Sequence, residues 1–210
     1  MKLTKNTHSS VRLEKGGRAL VMDPGLFGKP EEAAGANALL VTHEHPDHFN
    51  ADLVRSLMES NPALELWSQA TVTEALSAAF PGRVHTVGNG DAFIAAGFDV
   101  KVYGEYHGAI HRDLPKSQNV GFLIDDAIFH PGDALTVPDR AVETLLFPIV
   151  APWSKSEEVV DYIREVNPTR TIDVHNGLLG PAGDMIFGKV IETLTKPETA
   201  HLAIGEDINA

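Results

Sequence analysis

Ala38-Leu39-Leu40-Val41 runs through Thr42 into His43-Glu44-His45-Pro46-Asp47-His48, so an apolar run ends in three histidines and two acids within six positions. The apolar run reads as a short buried strand, and the polar cluster marks where that strand leaves the core. Residues two apart in an extended segment point the same way, so His43 and His45 can converge on one metal ion. Pro46 turns the chain, and Asp47 and His48 then face a second position beside the first. Imidazole and carboxylate suit zinc, and also manganese or iron. A solvent-exposed histidine-rich turn is the plain alternative, but exposure gives no reason for ligands at this spacing.

The rest of the chain alternates strands with helices. Val11 to Leu13 and Ala19 to Met22 read as strands joined through Gly16-Gly17, a hairpin signal. Asn50 is placed to cap a helix through Leu53, Val54, Leu57 and Met58. Leu64 to Trp67 reads as a strand, and Thr71 to Phe80 as a helix closed by Pro81-Gly82. Strand-like runs follow at Val84 to Val87, Phe98 to Tyr106, Val120 to Ile124, Ala127 to His130 and Thr144 to Val150. Ser154-Lys155-Ser156-Glu157 reads as a capping box for a helix through Val159, Val160, Tyr162, Ile163 and Val166. Thr171 to Val174 is another strand, Ala182 to Leu194 another helix, and His201 to Ile204 a last short strand. Helices inserted among many strands predict sheet layers covered by helices, an α/β chain forming one domain over residues 1–210.

Bulk properties narrow the function classes. A length of 210 residues is enough for one well-buried domain. A formal charge of −12 works against sequence-independent capture of nucleic acid. It leaves room for a small anionic substrate, because a bound metal reverses the local field. No apolar run is long enough to span a bilayer, and MKLTKNTHSS carries no apolar leader segment. The absence of cysteine excludes disulfides and thiolate ligands and fits a reducing cytoplasm. Oligomeric state is left open.

Distant residues are available to complete the metal cluster. His107 closes the strand that begins at Phe98, Asp133 closes His130-Pro131-Gly132-Asp133, and His175 closes Thr171 to Val174. Each lies past the end of an apolar run, where loops gather and sites form. With the first cluster they make seven candidate ligands, enough for two ions sharing a bridging carboxylate.

Met22-Asp23-Pro24-Gly25, His43 through His48, His107, Gly132-Asp133 and His175, in that order, resemble the metallo-β-lactamase superfamily. Thr7-His8-Ser9-Ser10-Val11 and Ile128 to Asp133 look closest to its small hydrolases of the ascorbate-6-phosphate lactonase type. The resemblance implies a four-layer αβ/βα sandwich with two divalent metals, zinc in first place, at one edge of two packed sheets. It implies that His43, His45 and His107 hold one ion, that Asp47, His48 and His175 hold the other, and that Asp133 bridges them. Asp23 would brace the ligand loop by hydrogen bonds. As a bare sequence position it is equally a strand-end turn residue before Pro24-Gly25.

Two adjacent cations lower the pKa of a shared water toward about 7 and so supply hydroxide. The chemistry expected is hydrolysis of a small ester, lactone or phosphoester, with Asp47 orienting the nucleophile and carrying its proton. His130 is expected to support Asp133. His111 and Trp153 are candidate substrate contacts, and His111 is the alternative to His107 as ligand. His107 is preferred because it ends a strand while His111 lies beyond Gly108 in a loop. Gly88-Asn89-Gly90 reads as a turn and not a phosphate loop. An iron-dependent oxidoreductase of the persulfide dioxygenase type, a nuclease, and a non-catalytic metal-binding protein are the competing readings.

Overall fold

The computed structural model describes residues Met1–Ala210 and is built on two mixed seven-stranded sheets. In the first sheet the spatial order is β14 (Asp207–Asn209), β1 (Lys2–Lys5), β2 (Val11–Lys15), β3 (Arg18–Met22), β4 (Ala38–Val41), β5 (Glu65–Ser68) and β6 (Val84–Thr86). In the second it is β13 (Glu198–Ala200), β12 (Arg170–Val174), β11 (Thr144–Pro148), β10 (Ile128–His130), β9 (Gly121–Ile124), β8 (Phe98–Tyr103) and β7 (Ala92–Ala95). Each sheet is antiparallel in one half and parallel in the other, with β3 to β6 and β10 to β13 forming the parallel halves.

The two-residue side-chain period of the strands sorts the apolar residues into layers. Leu20, Met22, Ala38 and Leu40 face inward and meet Val100, Phe122, Ile128, Leu146 and Ile172 of the opposite sheet. Their neighbours Val21, Leu39 and Val41 face outward, where Val54 and Met58 of α1 (Ala51–Ser60) and Val72 of α2 (Ala70–Glu74) cover them. Leu123, Phe129, Leu145 and Phe147 are covered by Val159, Tyr162 and Ile163 of α3 (Ser156–Val166) and Ile191 of α4 (Pro181–Leu194). Strands buried on both faces have to be apolar throughout, which is why β4 reads Ala-Leu-Leu-Val. The result is the four-layer αβ/βα sandwich.

The hairpin through Gly16-Gly17 pairs β2 with β3 as expected. Asn50 caps α1, its side chain accepting the Leu53 N–H at 3.1 Å. Since that cap follows the histidine turn directly, Asn50→Ala should cost about 1 kcal/mol of stability. Urea unfolding checks this, and an unchanged midpoint would remove the cap from the account.

Several expectations need correction. The helix expected over Thr71 to Phe80 is regular only to Glu74, and the chain then coils through tighter turns to Phe80. Thr73 and Ser77 hydroxyls bond the carbonyls of Ala70 and Thr73, competing with the helical ladder. The strand expected to reach Tyr106 stops at Tyr103, because Gly104 turns the backbone to φ +83. The capping box is displaced by one residue: Lys155 N–H donates to Glu158 Oε2 at 2.8 Å, while Ser154 N–H closes a turn on Ala151. No strand forms over His201 to Ile204; β13 ends before it and a turn at Gly205 leads to β14. No helix is long and apolar enough to cross a membrane.

Candidate metal centre

Both parallel half-sheets deliver side chains to one edge. Asp23 follows β3, the His43–His48 turn follows β4, Asp133 follows β10 and His175 follows β12. His107 is brought in differently, by a lone bridge between Tyr106 and Gln118 and by its N–H donating to the Ser117 carbonyl. All seven residues converge. Potential ligand atoms of His43, His45 and His107 lie within 4.8 Å of one another, as do those of His43, His48 and Asp133. A further group holds Asp47, His48 and His175 together with His8, a residue the sequence did not single out for the site.

Hydrogen bonds outside the cluster fix which ring nitrogens face inward. The Thr42 hydroxyl has one proton and gives it to Asp23 Oδ2 at 2.8 Å, so it can only accept from His43 Nδ1, 2.9 Å away. His48 Nδ1 donates to Asp23 Oδ2 at 2.7 Å, His107 Nδ1 to the Gly108 carbonyl at 2.6 Å, and His175 Nδ1 to the Val150 carbonyl at 2.6 Å. In each of these four rings Nε2 turns toward the common centre. His45 uses the other nitrogen, its Nδ1 lying 3.1 Å from His43 Nε2. Outer partners that lock the tautomer of an inward-facing imidazole are the usual support of metal-ligating histidine.

The centre leaves polar atoms without partners. His48 Nε2, His107 Nε2, His175 Nε2 and Asp133 Oδ1 are buried and form no hydrogen bond. They nevertheless crowd Asp133, with His48 and His175 at 3.1 Å and His107 at 3.3 Å from its oxygens. Unsatisfied buried polar atoms cost about 1–3 kcal/mol each. Four of them aimed at one small volume fit divalent cations, which take lone pairs from several directions at once.

The charges respond to that crowding. Burial, with the neighbouring His48 charge, holds His43 well below the usual imidazole pKa, and burial also lowers His45. Burial opposes a charge on His48, but the carboxylates of Asp133 and Asp23 outweigh it and push its pKa well up. The same contest on His175 is won by Asp133 and Asp47, which raise it to about 9. Burial alone would raise Asp133 and Asp47; the surrounding histidines keep both ionised, well below the usual carboxylate range. These shifts favour protonated His48 and His175 beside Asp133 and Asp47 in the metal-free protein.

Asp23 is fully buried and braces the loop, accepting from Thr42 N–H, the Thr42 hydroxyl and His48. Its neighbour Gly25 lies so close under the Asp47 carbonyl that any Cβ would overlap that oxygen. His130 supports Asp133 without touching its carboxylate: it donates to the Ser9 carbonyl at 2.8 Å and accepts Gly132 N–H at 3.0 Å, shaping the turn that carries Asp133. Trp153, a candidate substrate contact, donates its Nε1–H to Asp133 Oδ2 at 2.8 Å. His107, and not His111, joins the cluster, although it stands outside the strand that was the reason for preferring it. His111 is exposed beside Asp113 and lines a cavity of about 300 Å³ over His45 and His107, with Arg112 and Lys116 on its rim. A larger cavity, about 940 Å³, lies beneath α4 and touches none of the seven ligand candidates.

The family model described as a β-lactamase superfamily domain matches residues 2–175. Protein Rv0786c of Mycobacterium tuberculosis is 37% identical over 93% of each chain. A UPF0173 metal-dependent hydrolase of Anoxybacillus flavithermus is 33% identical over 66% of each chain. Among solved structures, Igni18, a metallo hydrolase of the archaeon Ignicoccus hospitalis, superposes with a TM-score of 0.76 at 18% identity, covering 99% of this chain and 97% of its own. Sheet order, the ligand edge and the family match agree: the chain belongs to the metallo-β-lactamase superfamily.

Proposed function

We propose that the protein is a metal-dependent hydrolase of small esters, lactones or phosphoesters, working through two divalent ions, zinc in first place. His43, His45 and His107 would hold one ion, Asp47, His48 and His175 the other, and Asp133 would lie between them. The observation that carries this reading is the set of buried, unpartnered nitrogens and one oxygen turned toward a single centre. When bound, a pair of such ions supplies hydroxide at neutral pH and polarises the electrophilic oxygen.

The chain's own residues do the rest. Asp23, Thr42, Gly108 and Val150 hold the histidines in one tautomer, so no ring has to reorient. Trp153 holds one oxygen of Asp133. Asp47 is the more open of the two acids, its side chain 26% exposed against 5% for Asp133, which suits it to accept a proton and pass it to a leaving group. The cavity over His45 and His107 has the volume of a small-molecule site. Arg112 and Lys116 on its rim favour an anionic substrate in a protein that is otherwise acidic.

The test is purified protein of known metal content assayed against lactones, phosphodiesters, thioesters and β-lactams. Hydrolysis of at least one class, lost on chelation and restored by zinc, is the expected result. Protein that carries a single redox-active iron and hydrolyses nothing in the panel would replace this reading with an oxidoreductase.

A further inference from the structure

His8 is grouped with Asp47, His48 and His175 by proximity, and proximity alone would make it another ligand. Its hydrogen bonds say otherwise. At His43, His48, His107 and His175 the outer nitrogen is a donor, which turns Nε2 toward the centre. At His8 the polarity is reversed. The outer Nδ1 accepts the backbone N–H of Gly177 at 3.1 Å, so the proton of the neutral ring sits on Nε2, which lies 3.1 Å from Asp47 Oδ2. From these contacts we infer that His8 is a positioning residue: it donates a hydrogen bond that orients the Asp47 carboxylate and does not itself bind metal.

The local structure is built around this bond. His8 is only 1% exposed and adopts φ +62, a left-handed backbone that a non-glycine residue takes up at a cost of about 1 kcal/mol or more. Its carbonyl accepts the N–H of His175, which is also at φ +62. Gly177 must be glycine for its amide to come so close, since a Cβ there would stand 2.8 Å from His8 Nδ1. The turn between β1 and β2 is therefore clasped to the loop after β12, and the clasp aims one N–H at one carboxylate. Fixing the Asp47 plane selectively serves the Asp47–His48–His175 position, because His8 makes no contact with His45 or His107.

The inference rests on the two-ion reading and is tested in a way that separates the two. Two-bond proton–nitrogen correlations of the His8 ring in metal-free protein report which nitrogen carries the proton. The expected answer is Nε2; a proton on Nδ1 overturns the assignment whatever the metals do. Zinc titration of variants then reads the role. Gln places a donor where Nε2 stood, whereas Asn reaches only as far as Nδ1. His8→Gln should hold the second zinc within about threefold of the parent, while His8→Asn and His8→Ala should weaken it 10–100-fold and leave the first zinc unchanged. Equal behaviour of Gln and Asn, or parallel loss of both ions, reduces His8 to a structural clasp and overturns the proposal. Parent protein that takes up one zinc overturns the two-ion reading, and His8 is then decided by its ring proton alone.

Discussion

Asp133→Ala should lower turnover by about 10³-fold on any substrate the protein hydrolyses, the largest effect expected from a single substitution here. Asp133 is the one acid within 3.3 Å of inward nitrogens from both groups, with His107 on one side and His48 and His175 on the other. Losing it removes a ligand from each proposed position. Metal stabilisation of a developing charge is worth several kcal/mol, and about 4 kcal/mol corresponds to roughly 10³ in rate. The same substitution strips the counter-charge from two buried imidazolium groups, which should cost about 3–5 kcal/mol in the metal-free protein. Asp133→Asn keeps the volume and the Trp153 contact while halving the acceptor oxygens, so it separates chemistry from folding. Both variants are assayed for turnover, bound metal and circular dichroism. A folded Asn variant with turnover within tenfold of the parent would show that Asp133 does not bridge two ions.

The sequence made one half of this centre readable and hid the other, for reasons that lie in chain distance. His43, His45, Asp47 and His48 sit within six positions, and the strand that presents them is buried on both faces, so its apolar run is continuous. β3, β11 and β12 were legible for the same reason, all being buried along nearly their whole length. β1, β7, β13 and β14 were not, because they are three or four residues long and carry exposed positions. His107 could be singled out by its residue type, yet the strand invoked for it ends four residues earlier, and what holds it is a bridge to Gln118. His8 was unreadable as a site residue. Its partners Asp47 and Gly177 lie 39 and 169 positions away, and a histidine in a short polar stretch has no periodicity to betray it. His130 supports Asp133 through the backbone, accepting Gly132 N–H and donating to the Ser9 carbonyl, a route that three residues of separation did not disclose.

The metal-free protein should be most stable near pH 6.5 and lose stability on both sides, while the metal-loaded protein should not show the alkaline loss. His175 keeps its proton to about pH 9 in the folded chain, whereas an unfolded histidine releases it near 6.5. Between those values the folded state binds more protons than the unfolded state, so stability falls as pH rises. The difference corresponds to about 3 kcal/mol, undiminished by solvent because the side chain is 2% exposed. His48, raised by Asp133 and Asp23, acts in the same direction. Below 6.5 the sign reverses. His8, His43, His45 and His130 resist protonation because they are buried, so the unfolded chain takes up protons that the folded one refuses. On the proposed reading, a bound metal would take Nε2 of His48 and His175 in place of their protons. Zinc uptake at pH 7 should therefore release those protons, seen as a dependence of the calorimetric heat on the ionisation enthalpy of the buffer. Urea unfolding of both forms at pH 5.5, 6.5 and 9 supplies the stabilities. Metal-free stability that stays level or rises from pH 6.5 to 9, with no proton release on zinc binding, would mean that imidazolium ions do not balance Asp133 and Asp47 in the empty centre.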